Sequence, residues 1–147
     1  MVNIELSMAV KQERKEVYNI LRDIEEFPKF MRSVKKIEIM EKDLNRLVTH
    51  WEVDIEGVKL TWREEDLFDD VRMKIRFKML EGDYKNYEGE WKIDETPKGT
   101  EISISVNFDW GIPVFEKFVG DALSRKAKTY LKGMLRSLKK KSEAYNG

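Results

Sequence analysis

The sequence predicts an α+β fold in which a curved seven-stranded antiparallel sheet wraps around one long C-terminal helix, with two short helices after the first strand. Three observations predict it. Residues 2–10 alternate apolar and polar side chains with the period of a strand. Residues 34–110 read as six more strands separated by turns short enough for hairpins. After Pro113 one apolar stripe runs at helical spacing almost to the end.

In the first strand Ile4, Leu6 and Met8 face one way and Asn3, Glu5 and Ser7 the other. From Gln12 to Ile24 the spacing changes, with Val17, Ile20, Leu21 and Ile24 on one helical face. Phe27-Pro28 ends that helix, and Phe30-Met31 suggests a second short helical turn. Strands follow near 34–41, 46–56, 58–68, 72–80, 87–95 and 101–110. They are broken at Lys42-Asp43, Glu56-Gly57, Asp69-Asp70, Glu81-Gly82-Asp83 and Pro97-Lys98-Gly99. In the last segment Phe115, Phe118, Val119, Ala122, Leu123, Tyr130, Leu131, Met134, Leu135 and Leu138 share one stripe. About 28 residues at 1.5 Å each make a rod of roughly 40 Å, enough to cross a whole domain.

At 147 residues and 17.5 kDa the chain has room for one core, so residues 1–147 are expected to form a single domain. The 28 basic residues balance the 28 acidic ones, so the molecule as a whole has no electrostatic reason to seek DNA or an acidic membrane. Any such partner needs a local patch. The absence of cysteine removes disulfides, thiolate metal sites and thiol nucleophiles. A single histidine, His50, argues against metal-ligand clusters and Ser-His-Asp arrangements, and no metal or cofactor is expected. No segment approaches 18 consecutive apolar residues, and residues 1–11 lack a basic region followed by an apolar stretch. The expectation is a soluble, cytoplasmic protein whose oligomeric state stays open.

Seven strands spaced about 4.8 Å apart make a sheet roughly 30 Å wide, whereas a helix with its side chains is about 10–12 Å across. One helix cannot cover that face, so a hollow is expected unless large side chains fill it. Its lining follows from strand parity. With Glu56-Gly57 as a two-residue turn, Ile55 faces Val58, Val53 faces Leu60 and Trp51 faces Trp62, while Asp54 meets Lys59 on the wet side. The same parity places Phe77, then Tyr87 and Trp91 flanking Gly89, then Phe108, on the inner face. An inward strand glycine is expected to leave room for something to approach. Thr49 and Glu64 also fall inside, opposite each other. A carboxylate there is costly unless paired or facing a ligand, and a strand end or a bulge would instead return Glu64 to water.

The segments Glu16-Val17-Tyr18-Asn19-Ile20-Leu21-Arg22-Asp23 and Phe27-Pro28-Lys29-Phe30-Met31, after an opening strand, resemble the start of the helix-grip, START-like superfamily. Glu81-Gly82-Asp83 followed by Glu88-Gly89-Glu90-Trp91 is similar to the later strand signature of its polyketide cyclase/dehydrase and coenzyme Q-binding branch (SRPBCC). The resemblance covers essentially the whole chain. It implies a sheet gripping a C-terminal helix around a hydrophobic cavity. The branch includes polyketide aromatase/cyclases, binders of lipid quinones and ribosome-association toxins. It supplies no invariant catalytic group to carry over, so catalytic residues stay unassigned.

His50 pairs across its hairpin with Arg63 on the outer face, and Ser103 and Ser105 also face outward, so nucleophilic catalysis is not expected. The leading expectation is therefore the binding of a lipid, an isoprenoid quinone or a polyketide-like chain. Trp51, Trp62, Phe77, Tyr87, Trp91, Phe108 and Phe118 would line the site, with Glu64 as its polar anchor. A cyclase using the same cavity, with Glu64 or Tyr87 moving a proton, is the alternative. A third reading rests on Lys117, Arg125, Lys128, Lys132, Arg136 and Lys139-Lys140-Lys141. This basic stripe suits a ribosome or an anionic membrane, or is simply a solvated face. Apolar residues 110–119, at the joint between last strand and helix, would form a hinged portal.

Overall fold

The computed structural model of the protein describes residues 2–83, 85–109 and 113–145, without the side chains of 113–121 and 123. Strand β1 (Val2–Val10) alternates as its sequence demands and is followed by helix α1 (Arg14–Arg22) and a 3-10 helix (Ile24–Lys29). Helix α1 is shorter than its apolar spacing suggests, because Asp23 leaves helical geometry (φ −85°, ψ 61°). Ile24 is still buried, but on the 3-10 helix, and that helix lies over Ile24–Lys29 rather than at Phe30-Met31. Val17, Tyr18 and Leu21 form the buried face of α1.

Strands β2 (Val34–Asp43), β3 (Arg46–Ile55), β4 (Val58–Asp69), β5 (Lys74–Gly82), β6 (Asn86–Thr96) and β7 (Gly99–Asp109) form the meander. The sheet order is β1-β7-β6-β5-β4-β3-β2, antiparallel throughout. The two helices therefore carry the chain from one edge strand, β1, to the other, β2. Glu56 and Gly57 both have positive φ (51° and 89°), the backbone of a tight hairpin whose twist matches its strands. The register is the one parity requires: Ile55 opposite Val58, Trp51 opposite Trp62, Thr49 opposite Glu64, His50 opposite Arg63.

Curvature comes from irregularities of pairing. β2 is bulged twice against β3, and β5 once against β4, where Arg63 and Glu64 face Glu81 and Met79 and Leu80 is left over. The bulge lies on β5, so Glu64 keeps its inward direction. β5 and β6 pair over only Lys74–Lys78 and Glu88–Lys92, then part. At the bend, a Cβ on Gly89 would collide with the Ser105 carbonyl oxygen and lie 2.7 Å from Cζ of Phe77. What approaches this glycine is the sheet's own backbone and an aromatic ring, not a guest.

Helix α2 (Pro113–Glu143) packs against β1, β3 and α1. Tyr130, Leu131, Met134, Leu135 and Leu138 are buried as its stripe requires, whereas Ala122 is exposed. The C-terminal end of α2 is tied down: Gln12 Nε2 donates to the carbonyls of Ser142 and Tyr145 (both 3.0 Å), and Lys139 Nζ donates to that of Ala9 (3.0 Å). No described helix is long and apolar enough to cross a membrane.

Candidate functional site: a carboxyl pair among stacked aromatics

Register places four aromatic rings in one continuous stack on the inner face. Trp51 and Trp62, cross-strand neighbours on β3 and β4, lie 5.5 Å apart at 14°. Trp62 meets Tyr87 at 5.4 Å, and Tyr87 meets Phe77 at 5.3 Å. From the 3-10 helix Phe27 sets its edge against Trp51 at 6.0 Å. Such offset and edge contacts fix the rings as well as bury them.

Two carboxyl groups sit within this enclosure. Glu64 and Asp66 follow each other at strand spacing on β4, and are 3% and 1% exposed. The indole Nε1 of Trp62 donates to Glu64 Oε1 at 2.6 Å. Thr49 Oγ1 donates to Asp66 Oδ2 at 2.7 Å, and Trp51 Nε1 donates in turn to Thr49 Oγ1 at 2.9 Å. Glu64 and Asp66 lie close enough for each to shift the other's ionisation, the charge of Asp66 disfavouring that of Glu64. Burial pushes Glu64 well above the usual carboxylate range, and the neighbouring Asp66 charge adds to the rise. Burial raises Asp66 too, opposed by its interaction with Glu64 and by the hydrogen bond it accepts from Thr49. Both carboxyls thus favour their protonated forms more than exposed ones do, Glu64 with the Asp66 charge adding to the effect of burial. No Lys or Arg lines this space among the described residues.

Beside the pair is a void of about 10 Å³, bounded by Leu21, Ile24, Phe27, Trp51, Ile75, Phe77, Tyr87, Trp91 and Met134. A second of about 10 Å³ lies beyond Tyr87, among Ile55, Val106, Phe108, Ala127, Tyr130 and Leu131. Each has room for about one water molecule. Neither void is the broad hollow expected from sheet and helix widths, and the side chains of 113–121 lie outside the described residues. Phe118 and Trp110 lie outside the described residues as well. A much larger concavity, about 920 Å³, is an open saddle on the outer face, lined by charges of both signs such as Glu5, Arg76, Lys78, Glu88 and Lys92.

Of the residues parity singles out, Trp51, Glu64, Phe77, Tyr87 and Trp91 border the first void, Phe108 borders the second, and Trp62 is stacked between Trp51 and Tyr87. Asp66 is the member that sequence reasoning missed. Its signal was the parity that selected Glu64, extended by two residues.

The family model for polyketide cyclase/dehydrase and lipid transport matches residues 10–135. The chain belongs to this family. Among solved structures it is similar to TTHA0849 of Thermus thermophilus (22% identity, 99% of this chain and 100% of that one, TM-score 0.93). It is likewise similar to the Zhui aromatase/cyclase of Streptomyces sp. R1128 (18%, 97% and 93%, TM-score 0.88). A START superfamily protein of Mycobacterium smegmatis also matches (16%, 97% and 97%, TM-score 0.82). At these identities the likeness establishes the shared helix-grip fold. Among curated protein sequences no relative was found.

Proposed function

We propose that the protein binds a hydrophobic small molecule of the lipid, isoprenoid quinone or polyketide type between sheet and α2, and that the Glu64–Asp66 proton meets a neutral oxygen on the guest. One observation carries this reading: a carboxyl pair with no cationic partner among the described residues, buried in an aromatic enclosure on the face that α2 covers. Burying ionisable groups this way is costly, and a fold gains nothing from it that apolar residues would not supply. A guest carbonyl accepts the Glu64 proton at no cost in charge, whereas a guest carboxylate would meet Asp66 as a like charge. The family's description, which includes lipid transport, supports the same reading.

The test is native mass spectrometry and organic extraction of the purified protein, followed by titration with a long-chain ketone and its matching carboxylic acid, read by tryptophan fluorescence. The ketone is expected to bind and quench, and the acid to bind much more weakly at neutral pH. No extracted lipid and no saturable quenching by either would refute the reading.

A cyclase is the second reading, favoured by a specific feature: two buried neighbouring carboxyls with raised pKa values, groups able to give and take a proton on a ketone-bearing chain. For that activity Glu64→Gln should lower turnover by about 10²–10⁴-fold while ketone binding survives. Unchanged turnover would leave only the binder.

A further inference from the structure

Charge is distributed unevenly along the chain. Residues 124–143 hold eight basic residues and one acidic residue, so in a chain of zero net charge the rest is seven charges negative. Lys126 pairs with Glu56 (3.2 Å), Lys139 with Glu143 (2.8 Å), and Lys141 lies over the Phe30 ring. Arg125, Lys128, Lys132, Arg136 and Lys140 are exposed and have no partner among the described residues. Their spacing of three, then four, four and four puts them on one face, opposite the buried stripe, in a row of roughly 22 Å. Like charges at i,i+4 destabilise a helix, and only the last turn gains from the helix dipole, so the row works against the stability of α2 over most of its length. Small residues, Thr129, Gly133 and Ser137, fill the gaps, so the long cations stand clear of the surface.

We infer that this face of α2 docks on an anionic lipid bilayer. Complementary charge sets the sign of the partner, and the straight, single row suits a plane of headgroups. Among the described residues no aromatic side chain is exposed within the row to stack on bases, as single-stranded nucleic acid would require, and the exposed Tyr145 lies past its C-terminal end. With no apolar residue interleaved among the cations, the helix rests on the headgroups and does not insert. The opposite side of the same helix covers the interior, so docking brings a store of water-insoluble molecules to the site. That last step alone rests on the ligand-binding reading above.

The experiment is co-sedimentation of the purified protein with vesicles of phosphatidylcholine, either alone or with about one third phosphatidylglycerol, at about 0.02 M and about 0.5 M salt. Binding is expected only to the anionic vesicles and only at low salt. The triple variant Lys128→Gln, Lys132→Gln, Arg136→Gln relieves repulsion and should stay folded, yet bind about 100-fold more weakly, from roughly fivefold for each cation. Arg76→Gln, Lys78→Gln, Lys92→Gln removes equal charge from the outer saddle and should bind like the unmodified protein. Absence of binding to anionic vesicles at low salt overturns the inference. So does an equal loss in both variants, or displacement from vesicles by an RNA hairpin at lower phosphate concentration than that of the lipid. Vesicle binding in a protein that never extracts a guest upholds the docking surface and counts against the ligand reading alone.

Discussion

Strand β4 carries four charged residues in succession, Arg63-Glu64-Glu65-Asp66, and its two faces treat them oppositely. Outside, Glu65 accepts from Arg46 Nε at 2.7 Å and Arg63 approaches Glu81 at 3.7 Å. Inside, Asp66 accepts from the Thr49 hydroxyl and Glu64 from the Trp62 indole N–H, with no Lys or Arg lining the space among the described residues. The outer face resolves its charges with opposite charges in water. The inner face resolves them by keeping a proton. Outer carboxylates such as Asp70, held by Arg22 and Tyr18, and Glu38, held by Lys36, are accordingly pulled below their ordinary range, while the inner pair is pushed above it. Identical residue types on the two sides of the molecule thus shift in opposite directions, Asp70 and Glu38 down, Asp66 and Glu64 up, because dielectric and partners decide it.

The largest effect expected from this contrast is on stability. Asp66→Ala leaves the Thr49 hydroxyl without an acceptor and opens a gap in packed surroundings, at a cost of about 2–4 kcal/mol in urea denaturation. If Asp66→Ala proves as mild as Glu65→Ala, the inner pair is not the closed network described.

A smaller effect lies in pH dependence. Glu64 is protonated in the folded state above the range in which it ionises in the unfolded chain, near 4.5. Its contribution is therefore complete below that value and is lost as pH rises toward the folded pKa, with a slope approaching one proton per molecule. Asp70, with a depressed pKa, acts in the reverse sense and weakens the fold as pH falls below about 4. Glu64→Gln should reduce the alkaline slope to the part that the raised Asp66 supplies and leave the acid limb intact, as followed by denaturation midpoints from pH 3 to pH 9. An alkaline slope unchanged in the variant would break the comparison.

The smallest effect belongs to the outer face. Glu65→Gln should move the midpoint only slightly, and the difference should vanish in about 1 M salt, where surface pairs are screened. A shift that survives high salt would mean that the outer pair is less exposed to solvent than its geometry indicates.

Much of the fold was legible in the residues. Period two located the strands, and Glu56-Gly57 set a turn from which the pairing of Trp51 with Trp62 and Thr49 with Glu64 follows by counting. Family membership was carried by the order of loose motifs. Asp66 was legible by the same count but overlooked, since in a run of four charges hydropathy alone suggests solvent. The placing of β1 beside β7, the leftover Leu80 that bends β5, and the ring of Phe77 against Gly89 had no sequence signal.

What the sequence determined by itself is local: which residues alternate, which follow helical spacing, and therefore which share a face. Only the tertiary structure decided how the interior is filled and how its carboxyls ionise. Both depend on distances between residues far apart along the chain, set by how tightly the sheet curls and which rings then meet, and neither volume nor dielectric is a property of any single segment.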